Sequence, residues 1–352
     1  MKQGRSIDAI RETLQLQADL KKDYDISPFR LELTQNAKLF ARGVSDTPFE
    51  CTTTMHNQIA QRTGIPVAYY NRMLEYNTSL LAQNVNSWLR NGTERHFTLR
   101  TFQGGDEHTA RALLSDRYRM VDHLEVTNTV TRILGQCTDL HLASAELTED
   151  RLYYKYIFPK VQGEIKKGDV VQAGFVITNS ETGMGACSIL PFLYRLVCTN
   201  GMIIGTAVQG FKKYHIGKNR KMENDITIYA DEYQDELLSS KIENFITTRL
   251  NDETFEDYFD RMRQASEAKA KVSPGVLFER VAKKFSLTDS EKMRAMSHYM
   301  TDGDHSLYGL SNAITRTAQD MGSYDRASEM EAIGWNILTL DNRSWGRLNE
   351  AA

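Results

Sequence analysis

The stretch Asp169–Met202, DVVQAGFVITNSETGMGACSILPFLYRLVCTNGM, constrains the fold more than any other part of this chain. Val171, Ala173, Phe175 and Ile177 alternate with Gln172, Gly174 and Thr178, the period of two that lays one strand face against a core. Asn179, Ser180 and Gly183 supply turn chemistry, and a second apolar run follows from Cys187 to Cys198. The run predicts a long antiparallel hairpin, closed by a tight turn at Thr199-Asn200-Gly201 with Gly201 at positive φ. Such a hairpin is a scaffold. It specifies no ligand.

The 352 residues suffice for two domains, or for one large domain with a helical appendage. No run of about 18 apolar residues exists to span a bilayer. The first residues read as an amphipathic helix rather than a signal peptide, so the expected compartment is the cytoplasm. Cys51, Cys137, Cys187 and Cys198 are scattered without a C-x-x-C and are expected to be reduced. Charge is segregated. Residues 151–221 carry eleven Lys/Arg against three acids, 222–260 twelve acids against two bases, and 261–298 nine bases against four acids. Two readings of these blocks stand: an acidic helix packing beside a basic sheet, or a basic section that meets a polyanion.

Taken in order, Ile7–Lys22 reads as a helix, and Arg30–Leu33 and Leu39–Val44 as short strands. Thr52–Asn77 has the layout of a helix-turn-helix. Ala60 is the small residue where two helices approach, Gly64 falls in the turn, and Ile59, Ile65, Tyr70 and Met73 supply apolar contacts. Pro66 marks the start of the second helix. DNA recognition by such a pair requires exposed polar residues on that second helix, where Asn71 and Arg72 qualify; Tyr69 and Tyr70 read as packing residues. The plainer expectation is a hairpin that only packs. Thr78–Leu89 is a further helix with Leu81, Val85, Trp88 and Leu89 on its buried side, and Val121–Gln136 another.

Arg95–Leu114 reads as a hairpin turning at Gly104-Gly105, which sets Arg100 opposite Thr109 and Thr98 opposite Arg111. Arg100, Arg111 and Arg117 then share one face, a row of like charge that requires an anion. A carboxylate, Glu107 or one from elsewhere, is the structural answer, and a phosphate the functional one. After strands at Leu140–Leu147 and Arg151–Phe158, a second basic feature follows Met202: Lys212, Lys213, Lys218, Arg220 and Lys221 interleaved with Phe211, Tyr214 and His215. Cations for phosphates beside rings for bases is the composition of single-strand binding, and equally of a solvated loop. From Asp225 onward the spacing of Tyr229, Tyr233, Leu237, Ile242, Phe245 and Leu250 predicts one long amphipathic helix. Further helices start at Ser273-Pro274, carry a core stripe of Met293, Met296 and Met300, and cover Leu310–Met321 and Ala327–Leu338.

Catalytic signatures are few. There is no H-E-x-x-H, no zinc spacing and no G-x-S-x-G, and Gly205-x-x-x-x-Gly210 is followed by Phe211 where a P-loop carries lysine. Asp150 with Glu164-x-Lys166 is the sole hint of a metal-dependent nuclease. The residues therefore lean away from an enzyme and imply no cofactor or metal.

Several runs together resemble one family: QIAQRTGIP with YY and RM, LLAQNVNSWL, RALLSDRYRMVDH, NSETG followed by LYRLVCTNGM, YGLSNAITRTAQ and SEMEAIG. They are similar to the phage/plasmid-like domain-of-unknown-function 932 family over about residues 30–340. The resemblance implies a mobile-element gene acting in bacterial cytoplasm and transfers no catalytic residue. The reading reached here is an α+β protein with a mostly antiparallel central sheet and flanking helices. Residues 1–94 are expected to hold strands and a helical hairpin, 95–222 the sheet core, and 223–352 a helical region. The expected function is binding of single-stranded DNA or RNA in replication or recombination, through Arg100, Arg111, Arg117, Lys212, Lys213, Tyr214, Lys218, Arg220 and Lys221. The alternatives are a protein contact through the acidic section Asp231–Asp260, and a nuclease. No membrane partner is expected, and the oligomeric state is left open.

Overall fold

The computed structural model describes residues 1–92, 95–105, 107–115, 121–205, 226–228, 235–249 and 252–350. It divides into two compact units: a small one of Asp8–Leu124 with Ser180–Met184, and a large one of Met1–Ile7, Glu125–Asn179 and Gly185–Ala352.

In the small unit, α1 (Ile7–Ala18) buries Ile10 and Leu14 on one side. The helix expected to reach Lys22 stops at Ala18, because Lys21–Ile26 forms β1, with Tyr24 and Ile26 packing inward. β2 (Leu31–Leu33) and β3 (Leu39–Ala41) pair antiparallel, Leu31 opposite Ala41. After β4 (Glu50–Cys51) come three helices: α2 (Thr53–Thr63), α3 (Val67–Tyr76) and α4 (Thr78–Asn91). β5 (Phe97–Gly104) and β6 (Glu107–Ser115) then complete a sheet of order β1-β5-β6-β4, in which only β4 runs parallel to its neighbour. Ile26, Leu33, Phe49, Ile59, Tyr70, Val85, Leu99 and Leu113 make one core. Fully burying each such side chain contributes about 2 kcal/mol.

The expected register of the arginine hairpin is not the observed one. Phe102, not Arg100, sits opposite Thr109, and a bulge between Arg100 and Thr101 leaves Arg100 opposite Ala112. The extra residue on β6 is Arg111, which the bulge leaves without an opposite residue on β5. Both arginines still reach Glu181, Arg100 its carbonyl and Arg111 its carboxylate.

The large unit begins with α5 (His123–Leu134) and a sheet of order β11-β10-β9-β8-β7. Its strands are β7 (His141–Leu147), β8 (Leu152–Lys166), β9 (Asp169–Asn179), β10 (Cys187–Arg195) and β11 (Asn200–Ile203), with β12 (Ile226–Ile228) also paired to β10. The hairpin read from alternation is β9 and β10, with Ser188 opposite Thr178 and Arg195 opposite Val171. At its far turn the positive φ falls on Thr199, at 50°, not on Gly201. Gly201 is needed for another reason: a Cβ there would lie 2.3 Å from the Phe192 ring. The single sheet expected over 95–222 is thus two sheets, since β5 and β6 pair with β1 and β4.

Among the described residues seven helices follow: α6 (Asp235–Asn244), α7 (Asp252–Glu267), α8 (Pro274–Phe285), α9 (Asp289–Asp302), α10 (Leu307–Thr317), α11 (Tyr324–Leu338) and α12 (Asn342–Asn349). The long helix expected from Asp225 is not what forms: Ile226–Ile228 is the strand β12, Tyr229 and Tyr233 lie outside the described residues, and a π-helical turn, Phe245–Arg249, follows α6. α10 is buried on nearly every side and packs on α11, where Gly334 leaves room for Thr315. The methionine stripe is not core. Glu291, Ala295 and Tyr299 form the buried row of α9, while Met293 and Met300 lie 56% and 54% exposed. Beneath α11, Lys155 and Glu331 pair at 2.5 Å with neither side chain reaching solvent.

Candidate nucleic-acid interface

Two places in the small unit concentrate charge and exposed rings, and they differ in kind. The first surrounds Glu181, in the segment Ser180–Met184. Lys21 Nζ donates to Glu181 Oε1 at 2.5 Å, Arg111 Nη1 to Oε2 at 3.0 Å, and the His123 backbone N–H to Oε1 at 2.7 Å. Arg100 donates to the Glu181 carbonyl at 3.1 Å, to Asp23 at 3.0 Å and to Asp122 at 3.2 Å. The Arg111 guanidinium also lies 4.0 Å from the centre of the Phe102 ring. Burial alone would raise the Glu181 pKa; His123, once acid protonates it, together with Lys21, Arg111 and Arg100 outweighs burial and holds the carboxyl well below the usual range. Burial pushes the His123 imidazole down to about 4, assisted by Arg111, Lys21 and Arg100 and opposed by Glu181, so at neutral pH it is uncharged.

The anion that the arginine row requires is therefore a carboxylate supplied by the chain itself. Arg100 and Arg111 are 2% and 6% exposed and their guanidinium groups are engaged. Sequence reasoning did not single out Glu181; its signal was an acid inside the turn-rich Asn-Ser-Glu-Thr-Gly run. Arg117 and the whole stretch Lys212, Lys213, Tyr214, Lys218, Arg220 and Lys221 lie outside the described residues.

The second place is the helix-turn-helix. The Thr52 hydroxyl caps α2 by accepting from Met55 N–H, and donates to the Arg111 carbonyl at 2.9 Å. Gln58 accepts from Leu113 N–H and donates to the Thr182 carbonyl, both at 2.7 Å, so α2 is fastened to β6 and largely buried. Gly64 ends α2 at φ 69°, a left-handed cap with nothing within 4 Å of its missing Cβ. Pro66 then precedes the first turn of α3. Ile59, Ala60, Ile65, Tyr70 and Met73 are all buried, the set the spacing predicts. His56 Nδ1 and the Tyr70 hydroxyl, 2.9 Å apart, tie the two helices.

α3 buries only Tyr70 and Met73 of its ten residues. Two expectations are corrected here. Tyr69 is 47% exposed rather than packed, and Trp88 of α4 is 55% exposed rather than core. Neighbours in a helix point about 100° apart, so Tyr70 and Leu89, which are buried, turn Tyr69 and Trp88 outward. Tyr76 is 75% exposed, and Val67, Ala68, Asn71, Arg72 and Glu75 share the open side, Glu75 one turn on from Asn71 and Arg72. Across Thr53–Asn91 the charged residues are Arg62, Arg72 and Arg90 against Glu75.

The other sequence candidates are placed in the large unit. Arg195 donates through Nε and Nη2 to the two Asp169 carboxylate oxygens at 2.7 and 2.8 Å, and Tyr308 donates to the same carboxylate at 2.9 Å. An acid partner thus accounts for it. Asp150 and Glu164 cannot share a metal ion: β8 separates them, and its 12 residue-to-residue steps from Leu152 to Glu164 span roughly 40 Å. Lys166 pairs with Asp304 at 2.6 Å. Among the described residues no group of three His, Cys, Asp or Glu is arranged to hold a metal ion. No described helix is long and apolar enough to cross a membrane.

The model of the family described as "Domain of unknown function (DUF932)" matches residues 111–335. No curated protein and no solved structure matches the chain.

Proposed function

This chain belongs to the DUF932 family, and we propose that it binds nucleic acid, with the outer side of α3 as a contact surface. The observation that carries the reading is that α3, fixed on a buried partner helix, packs Tyr70, Met73 and Leu74 inward and leaves its other seven residues exposed. That side offers the exposed Arg72 cation and the exposed Tyr69 and Tyr76 rings, a combination that nucleic acid rewards. Arg100 and Arg111 contribute by holding the unit together, since a guanidinium already satisfied by Glu181, Asp23 and Asp122 has little left for a phosphate. The basic, ring-bearing stretch Lys212–Lys221 adds a complement for single strands by composition. The setting of this reading is replication or recombination of a mobile element in bacterial cytoplasm.

The test is fluorescence anisotropy with labelled single-stranded and duplex DNA and with RNA, at about 50 and about 200 mM salt. Binding that weakens steeply with salt, and weakens further in Tyr69→Ala/Tyr76→Ala, is expected. Absence of salt-sensitive binding to every one of these probes would sink the reading. A protein contact through the acidic section has one observation in its favour, the exposed Glu253 and Asp257 of α7. Two other acids of that helix, Glu256 and Asp260, are already paired with its own Arg263 at 2.5 and 2.6 Å.

A further inference from the structure

Resting on that reading, we infer that α3 takes duplex DNA and reads base edges in the major groove, with Asn71 and Arg72 as the reading residues. Shape is the first argument. A site for single strands is a groove that tracks the backbone between stacking rings. α3 is the reverse: a helix packed on α2 and α4 with its other side exposed, and with Tyr69 and Tyr76 about 10 Å apart along its axis. A helix fits a groove about 12 Å wide.

The second argument is which residues occupy the leading turns. Val67, Ala68, Asn71 and Arg72 lie on the exposed side of the first two turns, the part of such a helix that reaches bases. Val67 and Ala68 are small and apolar, suited to a thymine methyl group. Asn71 offers a donor and an acceptor to one adenine edge, and Arg72 a two-pronged donor to guanine. Neither side chain is buried, and each is free of the carboxylate that occupies Arg100 and Arg111.

Rigidity is the third. Readout requires the rod to be held in one pose, and α2 supplies it through Thr52 and Gln58 on β6 and the His56–Tyr70 bond. Charge agrees as well. Arg62 is held over the Phe97 ring, which leaves Arg72 and Arg90 against Glu75 on the open side of α3 and α4, a net positive surface toward a duplex backbone.

The experiment is selection of sites from a randomised duplex pool by the full-length protein, followed by anisotropy on the selected duplex, a scrambled duplex and a single strand of the same sequence. A consensus is expected to emerge. Asn71→Ala and Arg72→Ala should each weaken binding to the selected duplex by roughly tenfold to a hundredfold. The same variants should change scrambled-duplex binding much less, with melting temperatures unaltered because both side chains are exposed. If the protein binds nucleic acid with salt sensitivity but no consensus emerges, or both variants bind the selected duplex like the wild type, base reading by α3 is refuted while nucleic-acid binding stands. If no probe binds at any salt concentration, both inferences fall together.

Discussion

The small unit holds two sets of arginines that look alike in sequence and differ in every physical respect. Arg100 and Arg111 are buried and neutralised, and Glu181, Asp23 and Asp122 take their hydrogen bonds. Arg72 stands on an open helix with Asn71 and two exposed tyrosines beside it. The difference teaches that a row of cations does not locate a binding surface. What locates it is whether the chain carries its own anion for them. Glu181 follows Arg111 by 70 residues, and its carboxylate makes the row a structural device.

Removing that carboxylate is the sharpest way to test the contrast. Glu181→Ala leaves Lys21, Arg100 and Arg111 buried without their common anion. It should cost about 3–5 kcal/mol in urea unfolding; a loss under about 1 kcal/mol would mean the cluster does not organise the unit. Acid should act on the same place. In the unfolded chain His123 takes a proton near 6.5, whereas in the fold it resists until about 4. Stability from this group is therefore complete above 6.5 and is lost as pH falls toward 4, by about 3 kcal/mol. Below about 4.5 the depressed Glu181 group adds to the loss in the same direction. Unfolding titrations at several pH values, with His123→Gln flattening the upper part of the slope, check this.

The open side should respond less in stability and more in binding. Gly64→Ala meets no neighbour but places an L residue at φ 69°, a cost of about 1 kcal/mol readable in the same unfolding assay. Arg72→Ala should change stability by less than about 0.5 kcal/mol, as exposed substitutions do. Its effect belongs in the anisotropy titration. If Arg72→Ala instead destabilised the unit as strongly as Glu181→Ala, the distinction between the two arginine sets would collapse.

Much of this architecture was legible in the chain. Alternation from Val171 to Ile177 predicts β9, and the spacing of Ile59, Ala60, Gly64, Ile65, Tyr70 and Met73 predicts the helix pair. Both follow from a local period set by backbone geometry. β1 was missed although Tyr24 and Ile26 alternate, because a helical run leads straight into it. The arginine bulge was missed because one inserted residue leaves no mark in a strand's composition. Periodicity also leaves open which helix rows are covered. Met293 and Met300 repeat as faithfully as Ala295 and Tyr299, yet only the second row packs.

The sequence by itself determined the α+β class, the β9–β10 pairing and the helix-turn-helix, since each depends on residues close in the chain. Only the tertiary structure decided that the strands form two sheets, that Glu181 neutralises Arg100 and Arg111, and that Tyr69 and Trp88 face outward. Burial and charge pairing join residues far apart in sequence, and no local pattern records which distant carboxylate will arrive beside which cation.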